Sequence, residues 1–415
     1  MHDWLRWQEQ LNPRQIELGL ERVRSVAGRL RLAPLRCPVV TVGGTNGKGS
    51  CVAYLEAALR AGGYRVGAYT SPHLLRYNER IRIDGEEAPD AALCEAFARI
   101  EAARGDTALT YFEFGTLAAL WLFAAARCDA VLLEVGLGGR LDAVNLVDAD
   151  VSIITSIGID HTDWLGSDRE SIGREKAGIM RPNRPAVCGD PDPPRSLLEH
   201  AAAAGSTLFR CNESFRAELF ATAWHWIGWD SRLDSLPYPS LAGAAQLRNA
   251  ASAIAALQLL RPTLPLSSDA IGKGLRSAAL RGRFEVLPGK VPVILDVAHN
   301  AEACSLLAEN LRAQPVAGRT LAVAGMLRDK PLAEVGAVMA GVVDAWYLGD
   351  LRVAGRALNA AELAQALAVQ GECFPDPGAA FGAARVASAT GDRIVVFGSF
   401  HTVEAVLRFL QHASQ

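Results

Sequence analysis

Val40-Thr41-Val42-Gly43-Gly44-Thr45-Asn46-Gly47-Lys48-Gly49-Ser50 decides how this chain folds and what it can hold. An apolar strand runs into a glycine-rich turn, and an amphipathic helix follows from about Lys48 to Arg60. Three glycines in five positions let backbone N–H groups approach a phosphate without a Cβ in the way. The helix N-terminus behind them favours negative charge. Lys48 offers a point charge to β/γ-phosphates, and a hydroxyl after it can ligate Mg²⁺. The strict pattern G-x-x-x-x-G-K-[ST] is not met, because its first glycine falls at Val42 and Gly49 separates Lys48 from Ser50. The stretch therefore reads as a variant phosphate loop. The plainer alternative is a glycine-rich turn with a solvated lysine.

The chain has 415 residues, which suits two or three domains. Half of the residues are hydrophobic and 21% are charged, as in an ordinary soluble globular protein. A net charge of −3 gives no support for a nucleic-acid partner. The opening MHDWLRWQEQ lacks an apolar signal core, and no apolar run is long enough to span a bilayer. The eight cysteines show no C-x-x-C pair and no metal spacing, so reduced thiols in a cytoplasmic protein are expected.

Ile16, Leu18, Leu20, Val23, Val26 and Leu30 predict an amphipathic helix over 14–32. A short strand at 65–69 ends in a proline-marked turn, and 80–85 alternates as an exposed strand stopping at Asp-Gly. Helices are expected at 89–104 and 113–127, the second so apolar that it must be buried. Asp129–Gly136 and Val151–Ile157 read as buried strands of a parallel sheet. Strand-then-helix order predicts an α/β fold, a doubly wound sheet whose ligands sit beyond the strands' carboxyl ends. Residues 205–240, with Trp224, Trp226 and Trp229, read as a small β-rich excursion around plain aromatic core. Helices follow at 243–260 and 268–279. Near Leu280-Arg281-Gly282 the strand–helix pattern restarts, giving a first domain over 1–281 and a smaller Rossmann-like α/β domain over 282–415. A ligand cleft between domains is the default site.

Several polar residues lie at strand ends. Glu134 closes an apolar strand, where a carboxylate is costly unless paired or metal-bound. His161 stands between Asp160 and Asp163 at another such end, as a turn residue or as a metal or phosphate contact. Ser71 alone is a turn hydroxyl. Lys176, in the short helix GREKAGIM, would by periodicity be a solvated lysine. Asp296 and His299 close the first strand of the second domain, and Arg283 could reach a nucleotide phosphate.

Together these residues resemble the folate branch of the Mur ligase superfamily. The resemblance covers nearly the whole chain: GTNGKGS at 44–50, TSPHL at 70–74, EVGLGGRLDAVN at 134–145, DHTDWLG at 160–166, GREKAGI at 173–179, RGRFE at 281–285 and DVAHN at 296–300. It implies that Thr45, Asn46, Gly47, Lys48, Gly49 and Ser50 hold ATP phosphates. Ser50, Ser71 and Glu134 would ligate one Mg²⁺; Glu134, His161 and a carbamylated Lys176 would surround a second. Asn249, Arg283 and Asp296 would contact the nucleotide, with His299 in the same motif. A pterin would sit near Tyr111, Phe112, Glu113 and Phe114 and near Leu141, Asp142 and Ala143, with residues about Gln15–Leu18 closing that pocket. Arg281 and Ala301 stand where the family commonly has proline, which bears on local geometry and removes no reactive group.

The implied chemistry is ATP-dependent joining of L-glutamate to a folate-type carboxylate, dihydropteroate or a reduced folate or both, through an acyl phosphate. Small-molecule substrates, no nucleic acid, no membrane and a monomer are expected. The competing readings are a Mur-type ligase acting on a peptidoglycan precursor, against which TSPHL and RGRFE argue, and a P-loop NTPase that switches or transports without ligating. A non-catalytic pterin- or nucleotide-binding protein would need none of the candidate metal ligands.

Overall fold

A computed structural model describes the chain apart from Pro13, Gln15, Arg352, Ala354, Gly355, Ser414, Gln415 and the side chain of Ala413. The chain groups into two compact units. One comprises Met1–His73, Tyr77–Ser240 and Gln246–Ala278; the other comprises Leu74–Arg76, Leu241–Ala245 and Ala279–Gln415.

The first unit is built on an eight-stranded sheet ordered β4-β3-β2-β5-β1-β6-β7-β8. Its strands are β1 (Val39–Gly43), β2 (Val66–Tyr69), β3 (Ile81–Ile83), β4 (Glu86–Glu87), β5 (Ala130–Glu134), β6 (Val151–Ile154), β7 (Pro185–Cys188) and β8 (Thr207–Arg210). Strands β2, β5, β1, β6, β7 and β8 run parallel, while β3 and β4 turn antiparallel at the edge. The parallel strands are apolar on both faces because helices cover both; β1, β2, β5 and β6 are buried at every residue. The helix Tyr111–Ala126 is nearly all apolar for the same reason, and Thr110 and Glu113 close its N-terminus as a capping box.

Three expectations change here. The helix expected over 14–32 spans only Glu21–Leu30, since Gly19 adopts φ +147°, outside helical space. A separate helix, His2–Leu11, precedes it and was not expected. The strand expected to be exposed at 80–85 is interior to the sheet, and Ile81 is fully buried between β2 and β4. Residues 205–240 supply β8 and a separate sheet of β9 (Arg216–Leu219), β10 (Trp224–Ile227) and β11 (Arg232–Leu236). Trp224 and Trp226 are its buried core, whereas Trp229 is part-exposed.

The second unit holds a six-stranded sheet ordered β12-β13-β17-β14-β15-β16, formed by β12 (Glu285–Leu287), β13 (Val293–Leu295), β14 (Thr320–Ala324), β15 (Ala345–Gly349), β16 (Glu372–Phe374) and β17 (Arg393–Phe397). All neighbours are parallel except β12 with β13. Helices flank the sheet with an apolar core on each face. Leu74, brought in from the TSPHL stretch, is buried in one of those cores beside Val297 and Phe381. No helix is long and apolar enough to cross a membrane among the described residues.

Candidate active site

The phosphate loop leaves β1 at the sheet's carboxyl edge and is strapped to the end of β6. Thr45 N–H donates to the Ser156 carbonyl at 2.7 Å, and Thr155 N–H donates to the Gly43 carbonyl at 2.9 Å. The Thr155 hydroxyl reaches the Asn46 carbonyl at 2.6 Å, and Asn46 N–H donates to Ser156 Oγ at 3.2 Å. Thr45 Oγ1 accepts from Gly158 N–H at 2.9 Å. Gly44 is required by contact and conformation alike: at φ +139°, a Cβ there would lie 1.9 Å from Thr155 Oγ1. Gly47, at φ +87°, caps the helix Lys48–Ala61, and a Cβ on it would meet Asn249 Oδ1 at 2.5 Å. The nucleotide-contact candidate Asn249 thus touches the loop. Thr155 and Ser156 were not singled out from the sequence; their only signal was their place at a strand end.

Two lysines converge on this loop. Lys48 Nζ donates to the carbonyls of Gly44 and Thr45, both at 3.1 Å. Lys176 Nζ donates to the same Gly44 carbonyl at 2.9 Å. Lys176 is buried at 5% exposure, which overturns the solvated-lysine reading. Its helix, Arg169–Ala177, turns it inward while Glu175, the residue before it, pairs outside with Arg140 at 2.9 Å.

Glu134 ends β5 beside β1, with Val42 as its register partner. It is buried, and one carboxylate oxygen accepts Ser71 N–H at 3.1 Å. Its charge, after burial, helps to raise the thiol of Cys51 in the loop helix. Ser50, Ser71 and Glu134 are hard oxygen donors of the kind Mg²⁺ takes. His161 opens the one-turn helix Thr162–Leu165 in a left-handed conformation, its N–H held by the Asp160 carboxylate at 2.9 Å. Among the described residues no three His, Cys, Asp or Glu side chains cluster as a metal site.

The expected pterin residues divide by environment. Phe112 lies 5.6 Å from the Tyr69 ring, across Gly136, where a Cβ would meet it at 2.7 Å. Asp142 is buried and accepts N–H bonds from Leu137 at 2.8 Å and Val144 at 3.1 Å. Burial nevertheless pushes its carboxyl up to about 6, with those bonds and the Lys48 charge opposing. Ala143 is buried beside it, and the Leu141 carbonyl receives Gly19 N–H at 3.3 Å, which brings the segment after residue 15 to this turn. Gln15 itself lies outside the described residues. Glu113 has both oxygens engaged, by Thr110 N–H at 2.7 Å and by Arg22 at 3.2 Å. Phe114 is wholly buried between Trp7 and Phe97. Tyr111 flanks the cation of Arg80, a residue that sequence reasoning passed over as part of an alternating strand.

In the second unit Asp296, Arg283 and His299 come together. The Asp296 carboxylate accepts N–H bonds from Phe284 at 2.9 Å and Ala298 at 2.8 Å. Burial raises its carboxyl, and Arg283 works against that rise. Arg283 stacks on Phe400 at 5.5 Å. His299 Nδ1 donates to the Val297 carbonyl at 2.8 Å, so a neutral ring keeps its lone pair on Nε2.

Residues 282–400 match the family described as Mur ligase, glutamate ligase domain. The dihydrofolate synthase/folylpolyglutamate synthase of Escherichia coli is 46% identical over 98% of this chain and 94% of its own length. The solved structure of E. coli FolC in complex with DHPP and ADP covers 100% of this chain and 98% of its own, with a TM-score of 0.95 and 46% identity. A bifunctional folylpolyglutamate synthase/dihydrofolate synthase with Mn, AMPPNP and L-glutamate bound is 49% identical, with a TM-score of 0.92 over 99% of this chain and 98% of its own. The chain belongs to the dihydrofolate synthase/folylpolyglutamate synthase family.

Proposed function

We propose that this protein joins L-glutamate to folate-type acceptors at the expense of ATP, using both dihydropteroate and a reduced folate. The observation that carries the reading is the pair of lysines on the Gly44 carbonyl of the phosphate loop. A switching or transporting NTPase needs Lys48 but has no use for a second, buried lysine there.

In the first step an acceptor carboxylate oxygen attacks the γ-phosphorus of ATP, and ADP leaves. The acyl phosphate is then attacked at its carbonyl by the glutamate amine; phosphate departs as the amide forms, and the amine loses a proton. The loop N–H groups and Lys48 hold and neutralise the phosphates, which supplies most of what phosphoryl transfer needs. Phosphates would draw Lys48 off the carbonyls it now meets. Asn249 borders the same loop from the helix Ala244–Leu260. Asp296 and Arg283 serve the nucleotide, with His299 beside them, in the smaller domain taken from residue 282. Phe112 and Asp142 hold the pterin, with Tyr111, Leu141 and Ala143 about it. Glu113 and Phe114 support that wall from behind.

Mg²⁺, when bound, would neutralise phosphate charge and polarise the transferring group. Ser50, Ser71 and Glu134 would hold one ion; Glu134, His161 and Lys176, the last as a carbamate, would hold another. Two ammonium charges on one carbonyl oxygen repel; once Lys176 has lost a proton its neutral amine adds CO₂, and loss of a second proton leaves a carbamate anion. We also take the protein to act as a monomer in the cytoplasm, in accord with eight unpaired cysteines.

The test is ATP-dependent incorporation of labelled glutamate with each acceptor in turn. Both acceptors should be glutamylated, with one ADP formed per amide. Lys48→Ala should keep the fold by circular dichroism and lose about 10²–10³ in rate. ATP turnover indifferent to glutamate and acceptor would defeat the ligase reading. Use of only one acceptor at saturation would defeat the two-acceptor reading alone.

A further inference from the structure

One arginine of the first unit joins the loop helix to the turn that carries Ser71, and the ligation chemistry above leaves it unused. Arg82 lies in β3, opposite Ala68 of β2. Its Nε and Nη2 donate to one oxygen of the Glu56 carboxylate, at 3.1 and 2.7 Å. Its Nη1 donates to Thr70 Oγ1 and to the Glu79 carbonyl, both at 3.0 Å. Glu56 belongs to Lys48–Ala61, the helix that begins with the phosphate-loop lysine and contains Ser50. Thr70 directly precedes Ser71. Glu56 and Thr70 are both buried, and the Arg82 side chain is only 19% exposed.

A buried ion pair is weak evidence of a role in stability, because desolvating two charges costs about what their attraction returns. A lysine would also meet Glu56 by charge alone. What distinguishes Arg82 is its planar fork, which serves Glu56 with two nitrogens and the turn with the third. The turn is held from other sides as well. Thr70 N–H donates to the Arg80 carbonyl at 2.9 Å, and Ser71 N–H donates to the Glu134 carboxylate at 3.1 Å. The donors assigned above to one Mg²⁺ thus come from three neighbouring strand ends: Ser71 follows β2, Glu134 closes β5, and Ser50 follows β1. The Ser71–Glu134 bond ties the turn to β5. Arg82 ties it to the loop helix. Mg²⁺ demands near-ideal geometry, and working metal sites keep their bond lengths within about 0.2 Å, so donors on separate segments need such ties.

We propose that Arg82 is a positioning residue for the divalent-ion site: through Thr70 it holds the Ser71 hydroxyl in place relative to the loop helix that carries Ser50. This rests on the assignment of Ser50, Ser71 and Glu134 to one ion. The bonds of Arg82 described above all go to protein groups, so it acts through Thr70 rather than on a substrate. Loss of the fork or of the Thr70 hydroxyl frees the turn from the helix and weakens the ion, while the phosphate-binding N–H groups of the loop stay where β6 straps them. Partners that orient metal ligands from outside typically matter by about 10–100-fold in metal affinity.

Calorimetric titration of the full chain with a non-hydrolysable ATP analogue, once with Mn²⁺ and once with EDTA, tests this. The ratio of the two affinities reads the ion's contribution apart from that of the loop. The proteins are wild type, Ser71→Ala, Thr70→Val and Arg82→Lys; the last keeps the charge and loses the fork. Thr70→Val and Arg82→Lys should each lower the Mn²⁺ enhancement about tenfold and change the affinity in EDTA by less than about twofold, with Ser71→Ala at least as severe. Loss of the enhancement in Ser71→Ala alone, or in only one of the other two variants, overturns the positioning role and leaves the ion site standing. Equal weakening with Mn²⁺ and with EDTA does the same, since it makes Arg82 a brace of the fold only. An enhancement unchanged in Ser71→Ala, or absent from the wild type, overturns both the positioning role and the ion assignment. Should Arg82→Lys fail to fold, Thr70→Val, which changes no charge, decides alone.

Discussion

Asp142 shows how one residue can be held against its own preference. Burial raises its carboxyl to about 6 even though two backbone N–H groups point at it. The folded chain therefore holds this proton more tightly than the unfolded chain, whose carboxyl titrates near 3.8. Between pH 4 and 6, roughly, stability falls as pH rises, and the cost at neutral pH is at most about 3 kcal/mol. Asp142→Asn removes the titration, so the gap in urea-unfolding free energy between wild type and variant should change across that window; a constant gap would refute the assignment. The carbamate proposed for Lys176 would make an opposite demand, for a negative group where the sequence has a positive one. Lys176→Ala should abolish ligation, and short carboxylates added to the assay should restore part of it. Unimpaired ligation by the variant would return Lys176 to a purely structural role.

At the scale of elements, the phosphate loop is held in place by its ties to the end of the neighbouring strand. The Thr155 and Ser156 bonds fasten it from β6, while Gly44 supplies the gap into which the Thr155 hydroxyl fits. Gly44→Ala combines a poor backbone angle with a clash at 1.9 Å. It should weaken nucleotide binding by more than about tenfold and lower stability by about 1–3 kcal/mol. A nucleotide titration paired with urea unfolding checks both. Wild-type affinity in the variant would mean that the straps yield readily.

For the whole molecule, the chain's division does not follow its order. Leu74 lies among first-unit residues in sequence yet is buried in the second unit's core with Val297 and Phe381. Leu74→Ala should cost roughly 2–5 kcal/mol there. Calorimetry should show the transition of the second unit moving down while that of the first holds. Equal movement of both transitions would mean that the two units unfold as one cooperative body.

Periodic and local signals were legible in the residues themselves. The β1–loop–helix unit, the buried strands at Glu134 and Ile154 and the helix Ala301–Ala313 all follow from short-range patterns of apolar spacing and glycine. The family, too, could be read from motifs spread along the chain. What escaped depends on neighbours far away in sequence. Leu18 and Leu20 looked helical together, but Gly19 breaks the run where it meets the Leu141 turn. Lys176 reads as a solvated lysine by spacing, and only the approach of its helix to Gly44 buries it. Arg80 sits in an alternating stretch like any surface strand; its meaning comes from Tyr111, which a different helix carries to it. Propensity and period act over a few residues, so they reveal elements. Which charge lies beside which ring is set by packing between elements, and only the tertiary structure decides it.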